Sequence, residues 1–323
     1  MFCSKWLLRS SRQRGFSSFI KPSYSAQPSS PTHQRKTILD IQQQHRDKIP
    51  ITCITAHDYI TGKFANESNV DAVLIGDSLS MVQLGYPSTN QLKFDEFTYI
   101  AQAVSRAVTS KYLICDLPFG SYESSVSKAV ESAMKLFQDC DNLQAIKIEG
   151  GVEYLEYFKK LDDIGIAVCG HYGLTPQRHA YLGGYKLQGG SKKLQQSLEI
   201  FQTCLKLQNS GKVKMLVLEC IPQALGRLIT QNLDIPTISI GAGKYCSGQI
   251  LVQADLLGMT GSTNNIKFVK QYASFYDTAI DALNDYDREV KNQQFPGPEH
   301  SFMMSKDSYQ ELDYEIKKMV KSF

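Results

Sequence analysis

From residue 51 onward, short apolar runs alternate with longer segments in which apolar residues recur at helical spacing. This alternation is typical of repeated β-strand and α-helix units, whose parallel strands pack against the connecting helices. Seven runs predict strands, at residues 51–57, 72–77, 112–117, 145–149, 166–171, 215–220 and 237–241, and a weaker eighth lies around 250–256. Nearly continuous apolar strands indicate burial on both faces, in a closed barrel or a doubly wound sheet.

The segments between these runs place their apolar residues on single helical faces. The faces are formed by Phe97, Ile100, Ala101, Val104 and Val108; by Val126, Ala129, Val130, Ala133 and Phe137; by Leu194, Leu198, Phe201 and Leu205; and, after Pro222, by Leu225, Leu228 and Ile229. Eight such units without a glycine-rich dinucleotide fingerprint favour an α/β fold of the (β/α)8 TIM-barrel class. Such barrels use roughly 250 residues, so the 323-residue chain is expected to hold one main domain.

The segment before residue 40 differs in composition from the rest of the chain. It contains four Arg, three Lys, many Ser and no Asp or Glu. This composition is typical of a mitochondrial transit peptide and predicts a matrix location, with a basic tail of no import role as the alternative. We therefore expect a transit peptide and linker over residues 1–39, the catalytic barrel over 40–302 and a C-terminal extension over 303–323 that is helical around 309–319.

Charge and cysteine usage argue against several classes of protein. Without the seven basic residues of its first 39 positions, the chain has 28 Lys and Arg against 32 Asp and Glu, a formal charge of −4. We therefore expect no nucleic-acid partner. No apolar run approaches the ~20 residues of a membrane span, so no membrane role is expected. The eight cysteines are scattered without a C-x-x-C pair, which is typical of reduced thiols.

Polar residues stand where successive apolar runs end. They are Asp77 and Ser78 in the second unit, Asp116 in the third, Lys147 and Glu149 in the fourth, His171 in the fifth and Glu219 in the sixth. In a (β/α)8 barrel, the carboxyl ends of the strands meet at one mouth, where active sites form. A single acid there is often a cap or turn residue, but repetition over five strands predicts a shared pocket. Asp77 and Asp116 offer the hard oxygen ligands that Mg²⁺ prefers.

Eight short strings resemble, in the same order, those of the ketopantoate hydroxymethyltransferase family. They are Gly76-Asp77-Ser78-Leu79, Asp116-Leu117-Pro118-Phe119, Lys147-Ile148-Glu149-Gly150-Gly151, Cys169-Gly170-His171, Gly173-Leu174-Thr175-Pro176-Gln177, Gly183-Gly184-Tyr185-Lys186, Leu218-Glu219-Cys220 and Ile240-Gly241-Ala242-Gly243. The resemblance covers residues 40–302. One string alone is weak evidence, whereas eight collinear strings are specific.

The resemblance implies a barrel of the phosphoenolpyruvate/pyruvate type that transfers a hydroxymethyl group from 5,10-methylenetetrahydrofolate to 3-methyl-2-oxobutanoate. The product would be 2-dehydropantoate, on the route to pantothenate and coenzyme A. It also implies Mg²⁺ and a homo-oligomer, commonly a decamer of two rings of five. The implied site residues are Asp77 and Asp116 as metal ligands, Glu149 as a third acidic group at the metal, Ser78, Asp77, Asp116 and Lys147 around the oxo acid, and Glu219 as proton acceptor.

Elementary chemistry agrees with these roles. A 2-oxo acid can chelate Mg²⁺ through a carboxylate oxygen and the keto oxygen, which acidifies the C3 hydrogen and stabilises the enolate. Glu219 would then act as the general base. Lys147 and His171 would neutralise or hydrogen-bond the carboxylate and the developing oxyanion, which adds His171 to the expected substrate-binding set.

Other interpretations start from the same residues. A Mg²⁺-dependent lyase or mutase of the isocitrate lyase or phosphoenolpyruvate mutase type would use Cys169 as an acid or base, although its apolar surroundings favour a packing role. A barrel that serves only as a binding scaffold would be expected to have lost at least one charged group of the site. All five are present, namely Asp77, Asp116, Lys147, Glu149 and Glu219. Taken alone, Lys147, His171 and Ser78 also fit a strand-end lysine, a core histidine and a turn residue.

Overall fold

Eight parallel strands close into a barrel in chain order, with the first strand hydrogen-bonded to the eighth. The computed structural model describes residues 35–190, 192–261 and 266–322. Residues 1–34 of the predicted transit peptide and linker therefore lie outside the described residues. The strands are β1 (Ile51–Ala56), β2 (Ala72–Ile75), β3 (Tyr112–Asp116), β4 (Ala145–Glu149), β5 (Ala167–Gly173), β6 (Val213–Glu219), β7 (Thr237–Ile240) and β8 (Gly248–Leu251). The predicted (β/α)8 barrel is confirmed.

The helices begin at sequence signals that satisfy their first N–H groups. The Asp58 side chain accepts a hydrogen bond from the Thr61 N–H at 2.7 Å, and Ser125 accepts one from the Lys128 N–H at 3.1 Å. The α-helices of the described residues are α1 (Ile38–Arg46), α2 (Tyr59–Glu67), α3 (Leu79–Val82), α4 (Phe94–Ala107), α5 (Val126–Asp139), α6 (Leu155–Asp163), α7 (His179–Leu182), α8 (Leu194–Asn209), α9 (Gln223–Asn232), α10 (Gln253–Leu256), α11 (Phe275–Lys291) and α12 (Lys306–Val320).

The strands separate two apolar layers. Alternate strand residues point into the barrel, where Cys53, Ile114 and Met215 belong to one buried cluster. The remaining strand residues, such as Leu113, pack outward against helical residues such as Phe97 of α4. Because this alternation continues to the carboxyl end of each strand, inward-facing polar residues there are aimed at the mouth of the barrel.

Two predictions about individual elements need correction. The predicted eighth strand covered 250–256, but β8 ends at Leu251 and residues 253–256 form the short helix α10. A short apolar run does not by its pattern distinguish strand from helix. On α8, the predicted face is only partly buried, because Leu194 and Leu198 are exposed whereas Phe201 and Leu205 pack partly buried against the core. The fully buried residues of this helix, Ile200, Cys204 and Leu207, lie beside that face. This helix carries two apolar stripes, and Cys204 acts as a small hydrophobe in the buried one.

The C-terminal part of the described chain consists of two helices without a buried residue. The helix expected around 309–319 is present as α12, whereas α11 was not predicted. Large apolar side chains remain exposed along both helices. No helix among the described residues is long and apolar enough to cross a membrane. Elsewhere, the seven cysteines of the described residues, all between positions 53 and 246, are free thiols, and five of them are buried.

Candidate active site

Strand register places the predicted site residues at successive levels, two residues apart, near the carboxyl ends of their strands. Asp116 pairs with Lys147, Glu149 pairs with His171, and Glu219 is level with Gly173. These pairs lie at the carboxyl ends of β3 to β6, so their inward side chains meet at the mouth of the barrel. Asp77 and Ser78 follow the end of β2, where Ser78 precedes the short helix α3.

Asp77, Asp116 and Lys147 form one part of the site. The Asp77 N–H donates to Asp116 Oδ2 at 2.9 Å, which ties the end of β2 to that of β3. The Lys147 ammonium lies 2.9 Å from Asp116 Oδ1, and both side chains are buried. That oxygen has no aligned hydrogen-bond donor among the described residues. Asp116 therefore keeps one buried oxygen that is attracted to a cation without being hydrogen-bonded.

His171 connects Lys147 to Glu219. Its Nδ1 lies 3.2 Å from Lys147 Nζ and 3.4 Å from Glu149 Oε1, and its Nε2 lies 3.1 Å from Glu219 Oε2. Because an ammonium can only donate, Nδ1 is assigned as the acceptor and Nε2 as the N–H that faces Glu219. The Glu219 side chain is the more accessible of this pair, 13 % exposed against 3 % for His171. Glu219 is thus held at the open side of the cluster.

Burial shifts the proton affinities of these groups. It raises the pKa of Asp77 well above its usual value, with help from the charges of Asp116 and Glu149. Burial also raises the pKa of Glu149 to about 7, despite the nearby Lys147. The pKa of His171 is lowered by burial and by the Lys147 charge, so its ring is neutral at pH 7.

Burial likewise raises the pKa of the Glu219 carboxyl, and the neighbouring His171 opposes that shift. For Lys147, burial works against the charged form, but Asp116, Glu149 and Asp77 outweigh it and raise the pKa. Lys147 is therefore a permanent cation, and Glu219 is a more basic carboxylate than an exposed one. These are the properties of an anion-binding lysine and of a general base.

The charges of the cluster fit a divalent cation. Four carboxylates, those of Asp77, Asp116, Glu149 and Glu219, surround the single ammonium of Lys147. In the described ranges, no three or more His, Cys, Asp or Glu side chains form a ready metal-binding group. A site of one or two carboxylates completed by water and substrate oxygens is how proteins usually bind Mg²⁺. The donor set, which consists of carboxylate oxygens, therefore suits that ion.

Sequence reasoning assigned no role to Gln177, which the structure buries among the site carboxylates. Its side-chain amide donates to Asp77, and its main-chain N–H donates to Glu149. The Tyr122 hydroxyl donates to the oxygen of the same amide. Gln177 lies within a string that carries the family resemblance, but a glutamine after a proline reads as an ordinary loop residue. Only the hydrogen bonds of Gln177 in the folded chain show that the loop after β5 returns over the mouth.

Cys169 is fully buried inside the barrel, where burial raises the pKa of its thiol to about 12. A thiol with so high a pKa is not ionised near neutral pH and is a poor acid or base there. Its side chain belongs to the apolar cluster of the barrel interior. The structure thus favours the expected packing role over the catalytic role that the lyase or mutase interpretation requires.

Similar solved structures share the barrel fold. A phosphonopyruvate hydrolase superposes with a TM-score of 0.53 at 10% identity, covering 89% of this chain and 99% of its own. A 2,3-dimethylmalate lyase, a member of the phosphoenolpyruvate mutase/isocitrate lyase superfamily, gives 0.50 at 14% identity, covering 88% and 98%. These likenesses show the closed parallel barrel fold, in which the strand-end carboxylates form a candidate active site at the mouth, as in barrel enzymes.

Sequence comparison narrows this class to one family. The family model for ketopantoate hydroxymethyltransferase matches residues 35–298, and the chain belongs to this family. The 3-methyl-2-oxobutanoate hydroxymethyltransferase of Thermoanaerobacter sp. is 42% identical, covering 84% of this chain and 98% of the relative. That of Saccharomyces cerevisiae is 40% identical, covering 85% and 89%. The 3-methyl-2-oxobutanoate hydroxymethyltransferase 1 of Arabidopsis thaliana, described as mitochondrial, is 41% identical over 83% of this chain and 78% of the relative.

Proposed function

We propose that the chain transfers a hydroxymethyl group from 5,10-methylenetetrahydrofolate to 3-methyl-2-oxobutanoate and so forms 2-dehydropantoate for pantothenate synthesis. The observation that carries this proposal is the convergence of Asp77, Asp116, Lys147, Glu149 and Glu219 at one barrel mouth. This arrangement supplies oxygen ligands, a fixed cation and a basic carboxylate within one cluster. Family membership supplies the reaction class.

In this proposal Asp77 and Asp116 would hold Mg²⁺ directly, and Glu149 would stand as a third acidic group beside it. When bound, the ion would supply Lewis-acid polarisation of the 2-oxo acid. The hydrogen bond from the Asp77 N–H to Asp116 Oδ2, which holds these two residues side by side, supports this assignment. Ser78, which lies next to Asp77, would contact the oxo acid from the end of β2.

The chain's own residues would then act on the substrate. Lys147 would bind the substrate carboxylate or stabilise negative charge that develops on the keto oxygen. Glu219 would remove the C3 proton, and the electron pair of the C–H bond would form the new C–C bond to the methylene carbon of the folate. Both C–N bonds of the methylene bridge would break, water would supply the hydroxyl oxygen, and the two nitrogens of the departing tetrahydrofolate would take up the protons lost by C3 and by water. His171, neutral and directed at Glu219, would orient this base.

Replacement of Glu219 by Gln tests the proton-transfer step apart from one-carbon transfer. Gln keeps the size of the side chain but cannot accept the proton, so we expect exchange of the C3 hydrogen with deuterated solvent to fall about 10²- to 10⁴-fold. Exchange is followed by NMR with 3-methyl-2-oxobutanoate and Mg²⁺ and without folate. Glu131→Gln, on the exposed side of α5, is the matched control and should exchange at the wild-type rate.

Two outcomes would contradict this proposal at different points. Wild-type exchange in Glu219→Gln would assign the base elsewhere, with Lys147 and His171 the next groups to test. The transferase activity itself would be contradicted if the wild-type protein exchanged the C3 hydrogen but formed no 2-dehydropantoate when 5,10-methylenetetrahydrofolate was added.

We further propose that the enzyme works in the mitochondrial matrix as a homo-oligomer. The basic, acid-free composition of the first 39 residues supports import, and one plant relative is described as mitochondrial. The exposed apolar side chains of α11 and α12 support self-association, because isolated apolar stripes of this length are rare on monomers.

A further inference from the structure

Gln177 is a buried polar residue that the proposed chemistry leaves without a role. It lies in the turn Pro176–Arg178 that follows β5, and its side chain is 3 % exposed. Its Nε2 donates to Asp77 Oδ2 at 2.8 Å and to the Leu117 carbonyl at 2.9 Å. Its main-chain N–H donates to Glu149 Oε2 at 3.0 Å. One residue thus contacts two of the three carboxylates assigned to the metal.

The surroundings allow the Gln177 amide only one orientation. Both neighbours of Nε2 are acceptor oxygens, so the flipped amide would set oxygen against oxygen. On the other side, the buried Tyr122 hydroxyl donates to Oε1 at 2.7 Å. The turn itself is held by Asn90, whose Nδ2 donates to the Gln177 carbonyl at 2.9 Å. Every polar atom of Gln177 therefore has a partner, so the residue is rigid.

We propose that Gln177 is a positioning residue that orients the Asp77 and Glu149 carboxylates for a divalent cation. It occupies one oxygen of each carboxylate and leaves the second available. The inference rests on the proposed function, since it assumes that these carboxylates hold the ion. Hydrogen bonds behind metal ligands typically govern affinity by about 10- to 100-fold.

The test is the dissociation constant for Mg²⁺, measured by titration calorimetry on the metal-free protein. We expect Gln177→Leu to weaken Mg²⁺ binding about 10- to 100-fold. Tyr122→Phe should show a smaller loss, since the two Nε2 contacts remain. Gln202→Leu, at an exposed position on α8, is the control and should bind as the wild type does.

A purely structural role for Gln177 predicts a different pattern. It would lower the melting temperature of the metal-free protein but leave the dissociation constant of the folded protein unchanged. A positioning role also predicts that saturating Mg²⁺ restores most of kcat in Gln177→Leu while the concentration needed for half-activation rises. Near-ultraviolet circular dichroism of each variant establishes that it is folded before titration.

Asp77→Asn separates this inference from the proposed function. If Asp77→Asn binds Mg²⁺ as tightly as the wild type does, the metal site itself is wrongly assigned and the role of Gln177 is lost with it. If Asp77→Asn loses binding but folded Gln177→Leu keeps wild-type affinity, only the Gln177 inference is overturned. Should Gln177→Leu fail to fold, wild-type affinity in Tyr122→Phe overturns it instead.

Discussion

Asp71 lies at the end of the barrel opposite the candidate site and joins three parts of the chain. Its carboxylate accepts hydrogen bonds from the Thr52 N–H at 2.8 Å, from the Gln44 amide at 3.0 Å and from the Lys36 ammonium. Burial alone would raise the pKa of Asp71, but Lys36, Thr52 and Gln44 together lower it. The ionised form is therefore the one that stabilises the fold.

We expect Asp71→Asn to lower the free energy of unfolding by about 1 to 3 kcal/mol at pH 7, because charged hydrogen bonds are replaced by weaker ones. The folded-state pKa is lowered, so this stabilisation is fully present above the unfolded pKa of about 3.9 and is lost as pH falls through the folded value. Urea unfolding between pH 7 and pH 3 should show that the difference in free energy of unfolding between wild type and variant narrows only below about pH 4.

Asp141→Asn, at an exposed loop position, is the control for the Asp71 experiment and should leave stability unchanged. A gap between wild type and Asp71→Asn that stays constant down to pH 3 would mean that packing, not charge, accounts for the loss.

At the residue scale, sequence predicted the charged members of the candidate site but not what supports them. Asp77, Asp116, Lys147, Glu149, His171 and Glu219 do lie together, because strand ends in a parallel barrel converge whatever the loops do. Gln177 and Tyr122 come from loops, and their contacts depend on how the chain returns over the mouth. Sequence periodicity carries no information about such returns. Their roles, like those of the charged residues, await the experiments above.

At the scale of elements, strands were easier to predict than helix faces. Strands β1 to β7 were predicted to within one or two residues at each end, because burial on both faces gives a continuous apolar run. Helix α8 shows the limit of periodicity, since it has two apolar stripes and only packing decides which one faces the barrel. Helix α11 was not predicted, although its apolar residues recur at helical spacing between acidic ones, the pattern of an amphipathic helix.

Helix α11 carries an apolar stripe that is largely exposed. Tyr276, Ile280, Leu283, Tyr286 and Val290 recur at spacings of three and four residues, and each is more than 40 % exposed. An amphipathic helix gains most of its stability by burying such a face. A second copy of the chain is the partner expected from the proposed homo-oligomer.

We expect Leu283→Asp to weaken self-association roughly 100-fold, because it would bury an unpaired charge in the interface at a cost of about 3 kcal/mol. Light scattering after gel filtration should give a smaller mass for this variant than for the wild type. Asn284→Asp adds the same charge beside the stripe and should keep the wild-type mass. A wild-type protein that is monomeric at micromolar concentration would contradict the proposed interface.

At the scale of the whole molecule, the stretch expected to be a transit peptide and linker includes residues that contact the barrel. Arg35 Nε donates to the Thr109 carbonyl at 3.1 Å, and the Lys36 N–H donates to the Ser110 carbonyl at 3.0 Å. Thr37 forms a capping box with Asp40 at the start of α1, where Ile41 is fully buried. We therefore propose that the folded body includes residues 35–39 and that the import signal lies within residues 1–34.

Two truncations test this boundary. A chain that starts at Arg35 should unfold at the same urea concentration as the full-length chain. One that starts at Asp40 loses the Lys36 partner of Asp71 and the Thr37 cap, so its free energy of unfolding should fall by about 2 to 4 kcal/mol. In cells, a fluorescent reporter fused to residues 1–34 should enter mitochondria, while the chain from Arg35 should stay outside. Equal stability of the two truncations would place the start of the body at or after Asp40, and a reporter that needs residues 35–39 for import would show that signal and fold overlap.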